Sequence, residues 1–201
     1  TAQAFLDNGD IVWAVGRRSS ELQKLKNKYS GNCVTAIMDV TDKKSVDAFF
    51  TKNSASQIDI LINNAGLAKG TDKMQEATYQ DWEIMVDTNI KGLLYVTSKV
   101  LPSLAKKSGS HIVNIGSVAG KWVYPSGGVY CATKFAVRAL SEGLRMDLMG
   151  TGVKVTDIEP GMVETEFSLV RTESSEAAKK VYAGMKPLMA KDIAETILWC
   201  V

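Results

Sequence analysis

The chain has 201 residues, 45% of them apolar and 23% charged, and a net charge of +2. That is the composition of one globular domain, long enough to bury roughly 70% of its unfolded surface. The basic residues form no long stripe, so binding to nucleic acid or membrane has no electrostatic support. No apolar run reaches the ~18 residues of a membrane span. Cys33, Cys131 and Cys200 lack metal-ligand spacing, and their odd number fits reduced thiols in a cytoplasmic protein. A single histidine, His111, excludes a His-rich metal centre and disfavours a Ser-His-Asp triad.

Residues 1–8 read as the tail of a helix stopped by Asn8-Gly9. Ile11–Val15 is a buried-strand run closed by Gly16. Ser19 or Ser20 is placed to cap a helix through about Tyr29, with Leu22 and Leu25 inward. Val34–Met38 is the next strand, ended by Asp39. Thr41 is placed to cap a helix over Lys43–Lys52 with Val46, Phe49 and Phe50 inward, and Ile58–Ile62 is a third strand ending in Asn63-Asn64-Ala65-Gly66. A polar loop leads to a long helical pattern, Tyr79 to about Lys106, interrupted near Asn89 and Pro102. Strand 111–115, a Gly-rich loop over 116–128, a helix over 129–148 and strand 153–158 follow. Residues 166–186 are helical but weakly apolar, and 191–201 form a last helix. Continuous apolar strands alternating with helices predict a parallel sheet covered on both faces, in one domain. The first and last residues fall mid-pattern, so further chain is expected beyond both ends.

Within the helix over 129–148, Tyr130 and Lys134 are four residues apart and stack on one face. A free phenol has a pKa of about 10, and a neighbouring ammonium favours its ionised form. Such a pair can exchange a proton with an alcohol or carbonyl near neutral pH. Ser117 follows strand 111–115, at the carboxyl end where open parallel sheets place their ligands. Alone, the Tyr-Lys spacing is weak: a half-buried Tyr beside a solvated Lys has the same pattern.

The motifs taken together resemble the short-chain dehydrogenase/reductase family. Asn63-Asn64-Ala65-Gly66, Asn89 within Thr88-Asn89-Ile90, Ser117, Tyr130 with Lys134, and Pro160-Gly161 followed by Met162-Val163-Glu164-Thr165 match its motifs in order. The resemblance implies a doubly wound, three-layered, Rossmann-type α/β fold. It also implies that Ser117, Tyr130, Lys134 and Asn89 are the catalytic set, with Asn89 anchoring a water that connects Lys134 to solvent. Bland alternatives are a turn-forming Ser117 and a helix irregularity at Asn89. One feature departs from the family: no strand and Gly-rich turn for the pyrophosphate precede the first helix. The family's last strand is missing as well.

By the same resemblance, Gly16 stands where NAD-using relatives carry an acid, and Arg17 and Arg18 follow it. Two guanidiniums can hold a 2′-phosphate through forked, charge-assisted hydrogen bonds, so the cofactor expected is NADP(H); two solvated arginines are the alternative. Asp39-Val40 resembles the adenine-edge contact, and Asn63, Ala65 and Gly66 the ribose side, although Asp39 and Asn63 can equally cap turns. The Pro160-Gly161 segment, Val163 and Thr165 are implied to hold the nicotinamide amide, and Tyr130 and Lys134 its ribose.

Within the family the chain is most similar to NADP-dependent 3-hydroxy acid dehydrogenases of the serine or allo-threonine type. That similarity lies in Ile60–Ala68, Asp81–Met85, Thr156–Gly161 and Thr165–Arg171. A carboxylate substrate needs a cation, and Arg171 is the candidate, with a plain surface Arg as the alternative. Tyr124 and Pro125 are candidates for the pocket wall and 166–187 for a closing substrate loop. Reduction of other carbonyls, such as 3-oxoacyl thioesters or xenobiotic ketones, and a non-catalytic dinucleotide-binding module are the competing functions. The resemblance also implies a homodimer or homotetramer paired through helices near 79–106 and 129–149.

Overall fold

The computed structural model describes all of residues 1–201. Helix α1 (Ala2–Asp7) comes first, then β1 (Val12–Gly16), α2 (Ser19–Lys28), β2 (Cys33–Ile37) and α3 (Lys43–Lys52). Next are β3 (Ile60–Asn63), α4 (Tyr79–Val86), a π-helical segment over Asp87–Gly92, and α5 (Leu93–Leu104). The chain ends with β4 (His111–Ile115), α6 (Gly128–Asp147), β5 (Lys154–Ile158), β6 (Val163–Glu164), α7 (Phe167–Thr172), α8 (Ser175–Val181), β7 (Leu188–Met189) and α9 (Ala190–Cys200).

Every strand pair is parallel. β1 pairs with β2, β3–β4–β5 run side by side, and β6 pairs with β7. No strand precedes α1 within residues 1–201, and no ladder joins β1 to β3. Helices cover both faces, and alternation along the strands sends neighbouring residues to opposite sides. On one side Leu61, Ile112 and Val155 pack with Val46 and Phe49 of α3, Val96, Val100 and Leu104 of α5, and Leu148 after α6. On the other, Val113 packs with Phe5 of α1 and Ile197 of α9, joined by Ile60, Ile62, Ile115 and Ile158. Each such aliphatic side chain, fully buried, stabilises the fold by about 1.5–3 kcal/mol. β1 and β3 share this second layer, since Val12 packs into the same cluster as Ile60.

The strands and helices lie where periodicity predicts them, but the first strand is not the buried run expected: Ile11 and Val15, with Val34 and Ile37 of β2, are exposed. Neither Ser19 nor Ser20 caps α2: its N-cap is Arg18, without a side-chain hydrogen bond, and Leu22 and Leu25 are only half-buried. The cap of α3 is Asp42, which accepts from Lys44 N, while the Thr41 hydroxyl donates to Asp39 at 2.8 Å. Pro102 does not break α5, which continues around it to Leu104. The interruption at Asn89 is real and takes the form of the π-helical segment, a widening of the ladder that often marks functional sites. The short β6–β7 pair was not predicted. It clasps the two ends of the stretch carrying α7 and α8, with Leu188 N donating to Met162 O at 2.9 Å.

Candidate active site

The carboxyl ends of β3, β4 and β5 bring the candidate residues together. Tyr130 and Lys134 project from the first turns of α6, buried to 9% and 6% exposure. Their chains do not diverge: the Lys134 ammonium lies 5.9 Å from the centre of the Tyr130 ring. Lys134 Nζ donates to the Ile115 carbonyl at 2.7 Å, so the end of β4 fixes the amine. Ser117 opens a short turn, where its Oγ accepts from Ala119 N at 3.1 Å and donates to Pro160 O at 3.4 Å. Phe167 of α7 meets the Tyr130 ring edge-on at 5.6 Å, which carries the 166–187 stretch to the site.

The electrostatics correct one expectation. Burial pushes the Tyr130 phenol up to about 12, and the downward pull comes from a side-chain hydrogen bond with Ser117, not from Lys134. Burial also pulls the Lys134 ammonium down to about 8, against the field of Asp157. For both groups the apolar surroundings are the largest influence. The phenol is therefore protonated through the physiological range, the state needed to donate a proton to a carbonyl oxygen.

Asn89 is 2% exposed and its amide is fully engaged. Its Oδ1 accepts from Leu67 N at 2.9 Å, and its Nδ2 donates to Leu67 O at 2.8 Å and to Thr133 Oγ1 at 2.9 Å. The π-helical segment thereby ties the loop after β3 to α6. Above it, a Cβ added to Gly66 would come 3.3 Å from Asn89 Oδ1 and 3.5 Å from Lys134 Nζ. The exposed Ala65-Gly66 backbone thus leaves a cradle open over the amine. Asn63 faces inward: its Nδ2 donates to Thr97 Oγ1 at 3.0 Å and to Asn114 Oδ1 at 2.9 Å. That side chain locks the sheet to α5 and is not free to reach a ligand.

Arg17 and Arg18 are exposed at the end of β1. Arg17 sits 4.0 Å from Asp39, and Arg18 donates to Glu166 at 2.7 Å. Asp39 also accepts from Thr41 N at 2.9 Å, as a turn-capping residue does, and Val40 packs on the core. Pro160, Gly161, Val163 and Thr165 form the rim between β5 and α7; the Val163 carbonyl accepts from the Tyr182 hydroxyl at 2.9 Å, and the Thr165 hydroxyl accepts from Phe167 N at 3.2 Å. Arg171 is no solvated arginine. It donates to Gly70 O and Ser126 O, both at 3.3 Å, and to the Tyr124 hydroxyl at 3.1 Å, with its guanidinium 5.4 Å from that ring. Arg171 therefore pins α7 to both walls of the cleft. His111 is structural, its Nε2 paired with Thr156 Oγ1 at 2.8 Å.

Comparison with known proteins gives this arrangement its context. The family described as short chain dehydrogenase matches residues 1–176. The chain belongs to that family. This dehydrogenase is 46% identical over 202 residues to the NADP-dependent 3-hydroxy acid dehydrogenase YdfG of Salmonella typhi, covering 98% of this chain and 82% of that protein. It is 44% identical over 204 residues to sulfoacetaldehyde reductase 2 of Chromohalobacter salexigens, covering 98% and 81%. Among solved structures, the closed form of serine dehydrogenase complexed with NADP+ superimposes with a TM-score of 0.95 at 44% identity, covering 98% of this chain and 82% of that one.

The exposed guanidiniums of Arg17 and Arg18 and the cradle over Gly66 fit a phosphorylated dinucleotide. Sequence reasoning did not single out Thr133 and Leu67, which orient Asn89, or Asp157, which faces Lys134. A threonine inside a helix and a backbone amide carry no pattern of their own.

Proposed function

We propose that the protein is an NADP(H)-dependent oxidoreductase that interconverts a small 3-hydroxy acid, such as serine or allo-threonine, and its 3-oxo form. The observation that carries this reading is a buried Tyr130 with the Lys134 amine 5.9 Å from its ring, the amine fixed by the Ile115 carbonyl at the end of β4. Relatives named for NADP and for 3-hydroxy acids or serine support it. Arg17 and Arg18 hold the 2′-phosphate, the Asp39-Val40 edge meets the adenine, and Ala65 and Gly66 border the ribose. Pro160, Gly161, Val163 and Thr165 receive the carboxamide end.

The nicotinamide, when bound, supplies or accepts the hydride; positioning and polarisation are the work of this chain. Ser117 Oγ donates a hydrogen bond to the substrate oxygen. Tyr130 delivers its phenolic proton to that oxygen in reduction and takes it back in oxidation. Lys134, fixed by the Ile115 carbonyl, holds the nicotinamide ribose beside the phenol. Asn89 keeps the Leu67 loop and α6 in register around the amine. The Arg171 guanidinium takes the substrate carboxylate, its weak carbonyl contacts giving way to a charged partner. Sulfoacetaldehyde, named for another relative, is also a small carbonyl compound with an anionic group. The stretch 166–187, clasped by β6–β7, closes over the substrate.

No helix is long and apolar enough to cross a membrane. Three free cysteines fit a reducing compartment, and we place the enzyme in the cytoplasm. Pairing of α4–α5 and α6 with those of further copies makes a homodimer or homotetramer. The direct test is Tyr130→Phe. The variant should bind NADPH, followed by fluorescence, within a few-fold of the parent, while kcat for serine oxidation drops by roughly 10³ or more. Turnover within tenfold of the parent would remove the proton-transfer role.

A further inference from the structure

The strand register lines up Asn63, Asn114 and Asp157 across β3, β4 and β5. Parallel partners share a face, so all three point toward the α5–α6 side. The first two are satisfied: Asn114 accepts from Asn63 and donates to Ser141 Oγ at 2.8 Å. Asp157 is different. Both of its carboxylate oxygens are shut off from solvent, and neither accepts a hydrogen bond of good geometry. Buried charges left in that condition are costly and call for a reason.

Asp157 presses against the backbone that carries the catalytic serine. A Cβ at position 116 would lie 2.4 Å from Asp157 Oδ1, so only glycine fits there and the 115–116 peptide meets the carboxylate directly. The same peptide is gripped from its other end, where Ile115 O accepts from Lys134 Nζ at 2.7 Å. Ser117 is the next residue along. We propose that Asp157 is a positioning residue: its carboxylate stands behind the 115–116 peptide as the negative counterpart of the Lys134 ammonium, holding amine and serine backbone together. This rests on the catalytic reading of Lys134 given above.

The surrounding charges leave that role to Asp157. Glu159 lies beside it but is paired with Lys121 at 2.6 Å. On α6, Arg138 is paired with Glu142 at 3.2 Å, and Arg145 Nε is bonded to the Val155 carbonyl at 3.0 Å. Burial, and then Glu159, push the Asp157 carboxyl up to about 6, against the pull of the Gly116 N–H, Lys134 and Arg145. It is therefore ionised at neutral pH. For Lys134 the balance is simpler: burial favours the neutral amine, and Asp157 is the group that opposes it.

The experiment is a titration of Lys134 by NMR in full-length protein carrying ¹³Cε-lysine, assigned by the signal lost in Lys134→Arg. The midpoint, near 8 in the parent, should fall by about one pH unit in Asp157→Asn. Asp157→Ser, which removes the charge with a smaller side chain, should shift it in the same direction. With serine and NADP+, kcat of Asp157→Asn should drop about tenfold at pH 9 relative to the parent, with KM unchanged. Below pH 6 the two should converge, because Asp157 then takes up its own proton. An unmoved Lys134 midpoint in both variants would overturn the assignment, even if kcat fell evenly at all pH values. A shifted midpoint in a protein that turns over no 3-hydroxy acid would uphold it while removing the proposed substrate.

Discussion

At the level of single residues, the site works by contrast between burial and pairing. Tyr130 and Lys134 are both driven toward their neutral forms by their surroundings. The phenol keeps its proton at neutral pH, and the amine stands close to its own titration point. Arg171 has the opposite character: a permanent cation whose donors rest on two carbonyls and one phenol. Carbonyls are weaker acceptors than a carboxylate, so an anionic substrate can displace them. Arg171→Ala should raise KM about 10- to 100-fold for serine, the loss of one charge-assisted contact, and leave KM for a neutral secondary alcohol within about threefold. Steady-state kinetics on both substrates checks this; equal losses would assign Arg171 to loop packing alone.

At the level of elements, the π-helical segment is the irregularity on which the site depends. A regular helix through Asp87–Gly92 would turn Asn89 to another bearing, since each residue advances the helix by about 100°. The widened turn aims its amide at Leu67 and Thr133 instead. One side chain thereby satisfies both backbone groups of Leu67, in a loop that has no ladder of its own. Asn89→Ala leaves those groups buried without partners. We expect a loss of about 1–3 kcal/mol in urea-unfolding stability, and weaker NADPH binding as the Ala65-Gly66 cradle loosens. Asn89→Asp should keep the acceptor to Leu67 N and lose the donors. The β6–β7 clasp acts similarly for the 166–187 stretch, holding its two ends while α7 and α8 keep few buried side chains.

At the level of the whole molecule, the faces of α5 and α6 turned away from the core keep apolar side chains in the open. Phe135 is 39% exposed and Leu94 42%. An aromatic ring within a helix face of this kind is typical of surfaces between copies of a chain. Sedimentation of the parent at a multiple of the chain mass, and a lower mass for Phe135→Glu, are the expected results. A parent that sediments as a single chain would remove the oligomer.

The amino-acid sequence determined the parallel α/β order, the helix faces of the core and the candidate set Ser117, Tyr130 and Lys134, because these depend on local periodicity and on motifs of fixed spacing. Val46, Phe49 and Ile112 are legible as core from their spacing alone. Tertiary structure decided the rest. Whether Tyr130 is ionised depends on how much solvent reaches it, and its cover comes from Leu67, Met85 and Phe167, all distant in sequence. Asn63 faces inward because Thr97 and Asn114 wait for it there. Asp157 confronts Lys134 because β4 and β5 pair in one register and not the next. Electrostatic and hydrogen-bond partners come from residues far apart along the chain, so only the folded arrangement specifies them.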